Sequence, residues 1–263
     1  EPKYVKKILK LIDIKEDGTF RLDQSYFNYA TGLTMTNKKF DNLFGQKPRN
    51  PKSEKLTQFH MDIAASIQKV TEDIMIKLVK SAQQEYGLKN LCLAGGVALN
   101  CVANGKILNE KIFENIWVQP AAGDAGGAVG AALALWHIDQ KNPRNINKQD
   151  DMSGSYLGPE YSQAEIEKEL KRLGARFKIL SESEIINQTS KDLSSGNAIG
   201  WFQGRMEFGP RALGCRSILG DPRSPDMQKN LNLKVKYRES FRPFAPSILA
   251  EELNNWFDTN SHS

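Results

Sequence analysis

The sequence predicts an α/β fold, and three observations predict it. The first is a strand, glycine turn and helix in succession: apolar Asn90–Ala94, then Gly95 and Gly96, then a helix from about Val97 to Asn109. The second is the repeat of that order at Asn115–Gln119, a short apolar strand, followed by a small-residue helix over Asp124–Asp139. The third lies downstream, where helical patterns at Ser162–Leu173 and Glu182–Ser194 alternate with strand-like Arg176–Leu180 and Ala198–Phe202.

The elements follow in chain order. Tyr4–Ile14 and Thr19–Leu22 flank Glu16-Asp17-Gly18, which predicts a hairpin with a glycine turn. Thr31–Lys55 is polar, carries Pro48 and Pro51, and reads as a loop. Leu56–Tyr86 gives the clearest helix, because Phe59, Ile63, Ile67, Val70, Ile74, Leu78 and Ala82 recur every three or four residues. Gly87 ends it. His60 sits on that helix without a partner at metal-ligand spacing, so it reads as a structural histidine. Gln140–Ser155 (QKNPRNINKQDDMSGS) is the best linker in the chain. Beyond it, Ser224 is placed to cap a helix over about Pro225–Leu233.

A length of 263 residues makes about two domains the prior. A hydrophobic fraction of 40% supports real cores, and 25% charged residues is ordinary for a soluble protein. The net charge of +5 is mild and shows no continuous basic face with stacking aromatics, so nucleic acid is not expected as a partner. No run approaches ~18 apolar residues, so no membrane span is expected. Cys92, Cys101 and Cys215 form no CxxC pair and argue against a disulfide framework. Cys92 and Cys101 sit in apolar company and read as small core residues. The compartment expected is the cytoplasm.

The densest chemistry lies between Gly204 and Pro246. Arg205, Arg211, Arg216, Arg223, Lys229, Lys234, Lys236, Arg238 and Arg242 are interrupted by Glu207, Asp221, Asp226 and Glu239. They are interleaved with Gly, Pro and large apolar residues, so the cations belong on shaped loops and not on a solvated run. A guanidinium fork matches phosphate and carboxylate oxygens, which reads as a pocket for a small phosphorylated anion. Surface loops with structural salt bridges would give the same spacing. Upstream, Gly95 and Gly96 let a backbone approach a nucleotide, and Asn100 and Asn104 share a helix face. A packing turn with capping asparagines would look the same. Asp124 opens a helix, where a carboxylate also serves as a cap.

Four segments carry a family resemblance: LCLAGGVALNCVANGKI (Leu91–Ile107), PAAGDAGGAVGAAL (Pro120–Leu133), EFGPRALGCRSILGDPR (Glu207–Arg223) and KYRESFRPFAP (Lys236–Pro246). In order and spread, they resemble the O-carbamoyltransferase family of nodulation-factor and antibiotic-tailoring enzymes. The resemblance implies that residues 1–145 are the C-terminal half of an actin-like ATPase-type domain, similar to the tRNA threonylcarbamoyl transferases. It implies that residues 146–263 are the N-terminal part of a carbamoyl-adenylate-forming α/β domain, similar to the threonylcarbamoyl-adenylate synthases. The chain then reads as an internal fragment, inactive alone. An exposed apolar face on the first half would favour association, including a homo-oligomer.

The function implied is ATP-dependent transfer of a carbamoyl group from carbamoyl-phosphate to a hydroxyl of a small molecule, through carbamoyl-adenylate. A tRNA threonylcarbamoylation-type enzyme and a nucleotide- or phosphate-binding fragment without activity are the alternatives. By the same resemblance, Arg211, Lys236 and Arg242 hold carbamoyl-phosphate, and Arg238 joins them in a Lys-x-Arg element. Gly95, Gly96, Asn100 and Gly126 bind nucleotide. Asp124 ligates a divalent transition metal (iron, manganese or zinc) together with histidines absent from this segment.

Overall fold

The computed structural model describes residues 1–146 and 150–258. The chain divides into two compact units, Glu1–Arg144 and Asn145–Ser263. Both are mixed α/β, and among the described residues every sheet has two strands.

In the first unit, α1 (Val5–Ile8) is a single turn leading into β1 (Ile12–Ile14). β1 pairs antiparallel with β2 (Phe20–Leu22), Ile12 facing Leu22 and Ile14 facing Phe20. The expected strand over Tyr4–Ile14 is therefore only its last three residues. The reason is packing: the turn carries Ile8, and the residues after it carry Leu11, into a core with Phe44, Val70 and Ile74. The stretch read as a loop contains α2 (Lys38–Phe44). Asn37 caps α2, its side-chain oxygen accepting from the N–H groups of Lys39 and Phe40. Gly45 closes α2 at φ +75°, a left-handed end that suits glycine. Phe40 and Phe44 bring their rings to 4.6 Å inside the core.

The long helix α3 runs Gln58–Tyr86 and stops at Gly87, φ +61°. His60 belongs to its capping box: the Thr57 N–H donates to His60 Nδ1 at 3.1 Å. Its buried stripe is more polar than the periodicity suggests. Asp62, Ser66 and Glu72 are buried beside Val70, Ile74 and Val79, while Ile67 and Leu78 are exposed. Each buried polar group has a partner, as burial requires. Ser66 Oγ accepts from the Tyr4 N–H, and Glu72 takes Lys106 and Gln68.

β3 (Asn90–Leu93) and β4 (Asn115–Val118) pair in parallel, Leu91 beside Ile116. The helix expected over Val97–Asn109 is broken. A 3₁₀ turn spans Gly96–Leu99, Asn100 leaves helical geometry, and α4 is Cys101–Asn109. The break follows from Asn100 acting as the N-cap of α4. α5 (Asp124–Ala134) runs on into a wider π turn over Leu135–Asp139. Cys92 and Cys101 are exposed, not core. On the two-stranded parallel pair, Cys92 and its neighbour Trp117 share the uncovered face.

In the second unit, α6 (Gln163–Arg172) and α7 (Glu182–Ser194) each begin with a Ser/Glu capping box, Ser162 with Glu165 and Ser181 with Glu184. Arg176–Leu180 is not a strand: it finds no ladder partner and runs as irregular chain. β5 (Ile199–Phe202) pairs antiparallel with β6 (Arg216–Leu219), a strand hidden within the basic motif. α8 is only Met227–Asn230, continued by a π turn over Leu231–Val235, and its cap position is Asp226 with no side-chain bond. α9 (Leu253–Trp256) closes the described chain. Of the expected linker, residues 147–149 lie outside the described residues. Its end is not a free tether: Ser155 is fully buried, and its carbonyl accepts from the Phe208 N–H. No described helix is long and apolar enough to cross a membrane.

The hairpin turn rests on α3 through Gly18. Its φ is +87°, and a Cβ there would lie 2.5 Å from the Leu78 backbone nitrogen. Gly45 also has positive φ but open space around it. Gly45→Ala should therefore cost only the left-handed backbone term, about 1–2 kcal/mol. Gly18→Ala should cost about 1–3 kcal/mol more, because backbone must move. Urea unfolding of the two variants checks this; equal losses would contradict the close approach.

Candidate functional site

Two clusters, one in each unit, contain the residues singled out from the sequence. In the first, the glycine turn follows β3 at the carboxyl end of the parallel pair, the usual ligand side of an α/β sheet. The Gly95 N–H donates to the Ala122 carbonyl at 2.8 Å, tying this turn to the one that follows β4. Gly95 has φ +95°, and a Cβ at Gly95 or Gly96 would meet nothing within 4 Å. The space beside both residues is open. Gly126 is different: a Cβ there would fall 2.0 Å from the Ala121 carbonyl oxygen, so this glycine lets α5 close against its own entry loop.

Asn100 is engaged within the protein. Its Oδ1 accepts from the Ala103 N–H at 3.1 Å, and its amide pairs reciprocally with Gln68 of α3 at 2.9 and 3.2 Å. Asn104 donates to the Ala98 carbonyl at 2.7 Å. α3 thus fixes the start of α4, assisted by the Lys106–Glu72 ion pair. Glu72 is buried, which opposes its ionisation, but Lys106 and Gln68 outweigh that and hold its carboxyl below the usual range. Asp124 is the first residue of α5, exposed, with no protein hydrogen bond to its carboxylate among the described residues. The described residues contain no group of three His, Cys, Asp or Glu able to hold a metal ion. By themselves they do not make a metal centre.

The second cluster lies on two loops of the second unit. The first loop, 203–215, joins β5 to β6 and carries Arg211. Its base is closed by the Gln203 N–H on the Cys215 carbonyl at 3.0 Å. Arg216 reinforces the base. Its guanidinium lies 3.3 Å over the Phe202 ring and donates to the carbonyls of Gln203, Gly204 and Cys215. Inside the loop sits Glu207, 6% exposed. Its Oε1 accepts from the N–H groups of Leu213 at 2.9 Å, Cys215 at 2.7 Å and Arg216 at 3.1 Å. Burial opposes its ionisation, yet its own backbone N–H and these three together hold the carboxyl below the usual carboxylate range.

The second loop follows the π turn and carries Lys236, Arg238 and Arg242. Its organiser is Asn232, fully buried. Asn232 Nδ2 donates to the carbonyls of Ser240 at 3.1 Å and Arg242 at 2.8 Å, and Oδ1 accepts from Arg238 Nε at 2.6 Å. Arg238 also lies 4.9 Å over the Phe244 ring. It therefore holds the loop together. Tyr237 takes φ +49°, a left-handed position, between Lys236 and Arg238. Gly220 at the end of β6 lets Met227 and Leu231 pack against it, which seats the helix and turn that present this loop.

The cations divide by their partners. Arg205 donates to the Gly158 carbonyl and faces Glu160, Arg223 chelates Asp221, and Arg242 pairs with Glu239 at 2.8 Å. Arg211 and Lys236 are exposed and make no side-chain hydrogen bond or ion pair among the described residues. No hydrogen bond or ion pair between described residues joins the two loops to each other. Asn232 escaped the sequence reading, and Glu207 entered it only as an acid interrupting the basic run, not as an acceptor of backbone N–H groups. The signal available was weak: an acid flanked by Met and Phe, and an asparagine between two leucines, each beside a basic cluster.

If Asn232 is the clamp, Asn232→Asp should weaken it, since a carboxylate oxygen would face two carbonyls in place of a donor. The expected loss is about 1–3 kcal/mol, measured by urea unfolding. Unchanged stability would remove Asn232 as the organiser.

Comparison with known proteins places each cluster inside a matched region. The profile for the carbamoyltransferase N-terminus matches residues 2–133, and that for the carbamoyltransferase C-terminus matches residues 190–263. An uncharacterised protein of Synechocystis sp., sll1178, is 59% identical over all of this chain and 43% of its own length. Nodulation protein NolNO of Sinorhizobium fredii is 44% identical over 77% of this chain and 29% of its own. Nodulation protein NolO of Bradyrhizobium diazoefficiens is 42% identical over 77% and 36%. The chain thus spans less than half the length of these relatives. With the glycine turns inside the first matched region and both basic loops inside the second, the chain belongs to the O-carbamoyltransferase family.

Proposed function

We propose that the protein containing this chain transfers a carbamoyl group from carbamoyl-phosphate to a hydroxyl of a small molecule, with ATP consumed to form carbamoyl-adenylate. The observation that carries this reading is the pair of preformed loops whose cations Arg211 and Lys236 are exposed and without a partner among the described residues. Cations held ready in this way suit a phosphate dianion, because little reorganisation accompanies binding. Arg242 joins them by exchanging its exposed Glu239 contact for phosphate; such an exposed pair is worth little. Arg238 supports the loop.

In the first step water cleaves carbamoyl-phosphate to carbamate and inorganic phosphate, and a carbamate oxygen bonds to the α-phosphorus of ATP as the bond to pyrophosphate breaks, giving carbamoyl-adenylate. In the second step the acceptor oxygen bonds to the carbamoyl carbon, AMP leaves, and the hydroxyl proton passes to solvent. The basic loops serve the first step. The open turn at Gly95 and Gly96, in the half proposed to be actin-like, serves nucleotide in the second, with Asn100 and Gly126 shaping it. In the longer protein, Asp124 would supply one oxygen ligand to a divalent transition metal, residues outside this chain would supply the rest, and the metal would offer positive charge beside nucleotide phosphate.

The test of the donor site is to assay both half-reactions in the full-length protein. Each charge-assisted hydrogen bond is worth ~1.5–3 kcal/mol, so Arg211→Ala or Arg242→Ala should weaken carbamoyl-phosphate roughly ten- to a hundredfold. Transfer from pre-made carbamoyl-adenylate should be spared. Intact adenylate formation in both variants would make these arginines structural. For the first unit, Asp124→Ala in the full-length protein should lower bound metal, measured by elemental analysis. Normal metal content would remove Asp124 from the ligand set.

A further inference from the structure

We infer that Glu207 is a positioning residue for the donor site: an ionised carboxylate that spans the 203–215 loop and fixes Arg211 at its tip. This inference rests on the donor-site reading above and adds the group that makes it work. Glu207 leaves the near arm of the loop, and its three donors, Leu213, Cys215 and Arg216, lie on the far arm and the strand start. Arg211 lies between them in sequence, so the bonds close a ring around the tip that carries it.

Other contacts hold the arms from outside. The Phe208 N–H donates to the Ser155 carbonyl at 2.7 Å, and the Tyr156 hydroxyl donates to the Leu213 carbonyl at 2.9 Å. Beyond the base at 203–204 and 214–216, Glu207 is the link from one arm to the other among the described residues. Packing does not replace it. Leu213 is 41% exposed, and Gly209 and Gly214 take φ +115° and +112°, backbone open to glycine; Pro210 stiffens the tip beside Arg211 but does not tie one arm to the other. A neutral acceptor would satisfy the same N–H groups less strongly, because bonds to an ionised oxygen are about twice as strong.

A double-mutant cycle in the full-length protein tests this. Glu207→Ala, Glu207→Gln and Arg211→Ala are made singly, and each Glu207 change is combined with Arg211→Ala. The readouts are KM for carbamoyl-phosphate in adenylate formation and the affinity for inorganic phosphate by titration calorimetry. Arg211→Ala and Glu207→Ala should each weaken binding roughly ten- to a hundredfold. The double variant should be no weaker than Arg211→Ala alone, because Glu207 acts through Arg211. Glu207→Gln, which keeps an acceptor oxygen, should recover most of the affinity. Should Glu207→Ala fail to fold, Glu207→Gln carries the cycle, with a several-fold loss expected on the Arg211 background and none on Arg211→Ala. Losses that multiply in the double variant would overturn the inference, as would wild-type affinity in both Glu207 variants beside a weakened Arg211→Ala. Wild-type affinity in Arg211→Ala would instead defeat the donor-site reading itself.

Discussion

A carboxylate removed from water must find donors, and in the second unit Glu207 finds three of them in one loop. The hairpin between β5 and β6 depends on this satisfaction more than on apolar contact. Asn232 does the same for the next loop with an amide, whose donor and acceptor ends face opposite groups. Buried polar groups of this kind specify geometry because misplacing them leaves a desolvated atom unpaired. The two loops that carry the basic residues are thus shaped from inside, by buried polar groups.

The first unit follows the same logic at larger scale. Gln68 and Glu72, one turn apart on α3, meet Asn100 and Lys106 at the start and middle of α4. The position of the glycine turn after β3 is therefore set by polar contacts to a helix that is distant in sequence. This explains why Asn100 cannot be assigned by its spacing alone. Its amide is already committed on both sides, to Gln68 and to the cap of α4.

What the residues revealed in advance, and what they hid, separates along one line. Patterns local in sequence were legible. α3, its glycine stop, the strands at Asn90 and Asn115, and the capped helices α6 and α7 all follow from periodicity and end signals. Patterns decided by distant packing were not. α1 is helical because Ile8 and Leu11 must reach Val70 and Ile74, and α2 rises from a polar stretch because Phe40 and Phe44 need that core. Arg176–Leu180 has strand composition and no partner strand. Cys92 and Cys101 look like core residues, but the two-stranded pair leaves the Cys92 side of the sheet uncovered, and Cys101 is exposed at the start of α4. At the site, the basic residues were legible as a class. Their division into supporting and free was not, because it depends on which carbonyls and rings each guanidinium meets.

That division is the strongest argument for chemistry on these loops. Arginine serves loops well as a scaffold, since its fork can bridge several carbonyls while its face covers an aromatic ring. Arg216 does this over Phe202, and Arg238 covers Phe244 while its Nε holds Asn232 Oδ1. If all the cations were scaffold, each would be expected to close on a carbonyl, carboxylate or ring of its own. Among the described residues Arg211 and Lys236, on the loops shaped by Glu207 and Asn232, do not; nor do Lys229 and Lys234 on the neighbouring helix and turn. Folding alone gives no reason to place an unpaired cation at the tip of a loop shaped by a buried carboxylate. In the proposed donor site an anionic ligand would supply that reason: the supports fix the backbone, the supporting arginines brace it, and Arg211 and Lys236 are left for phosphate.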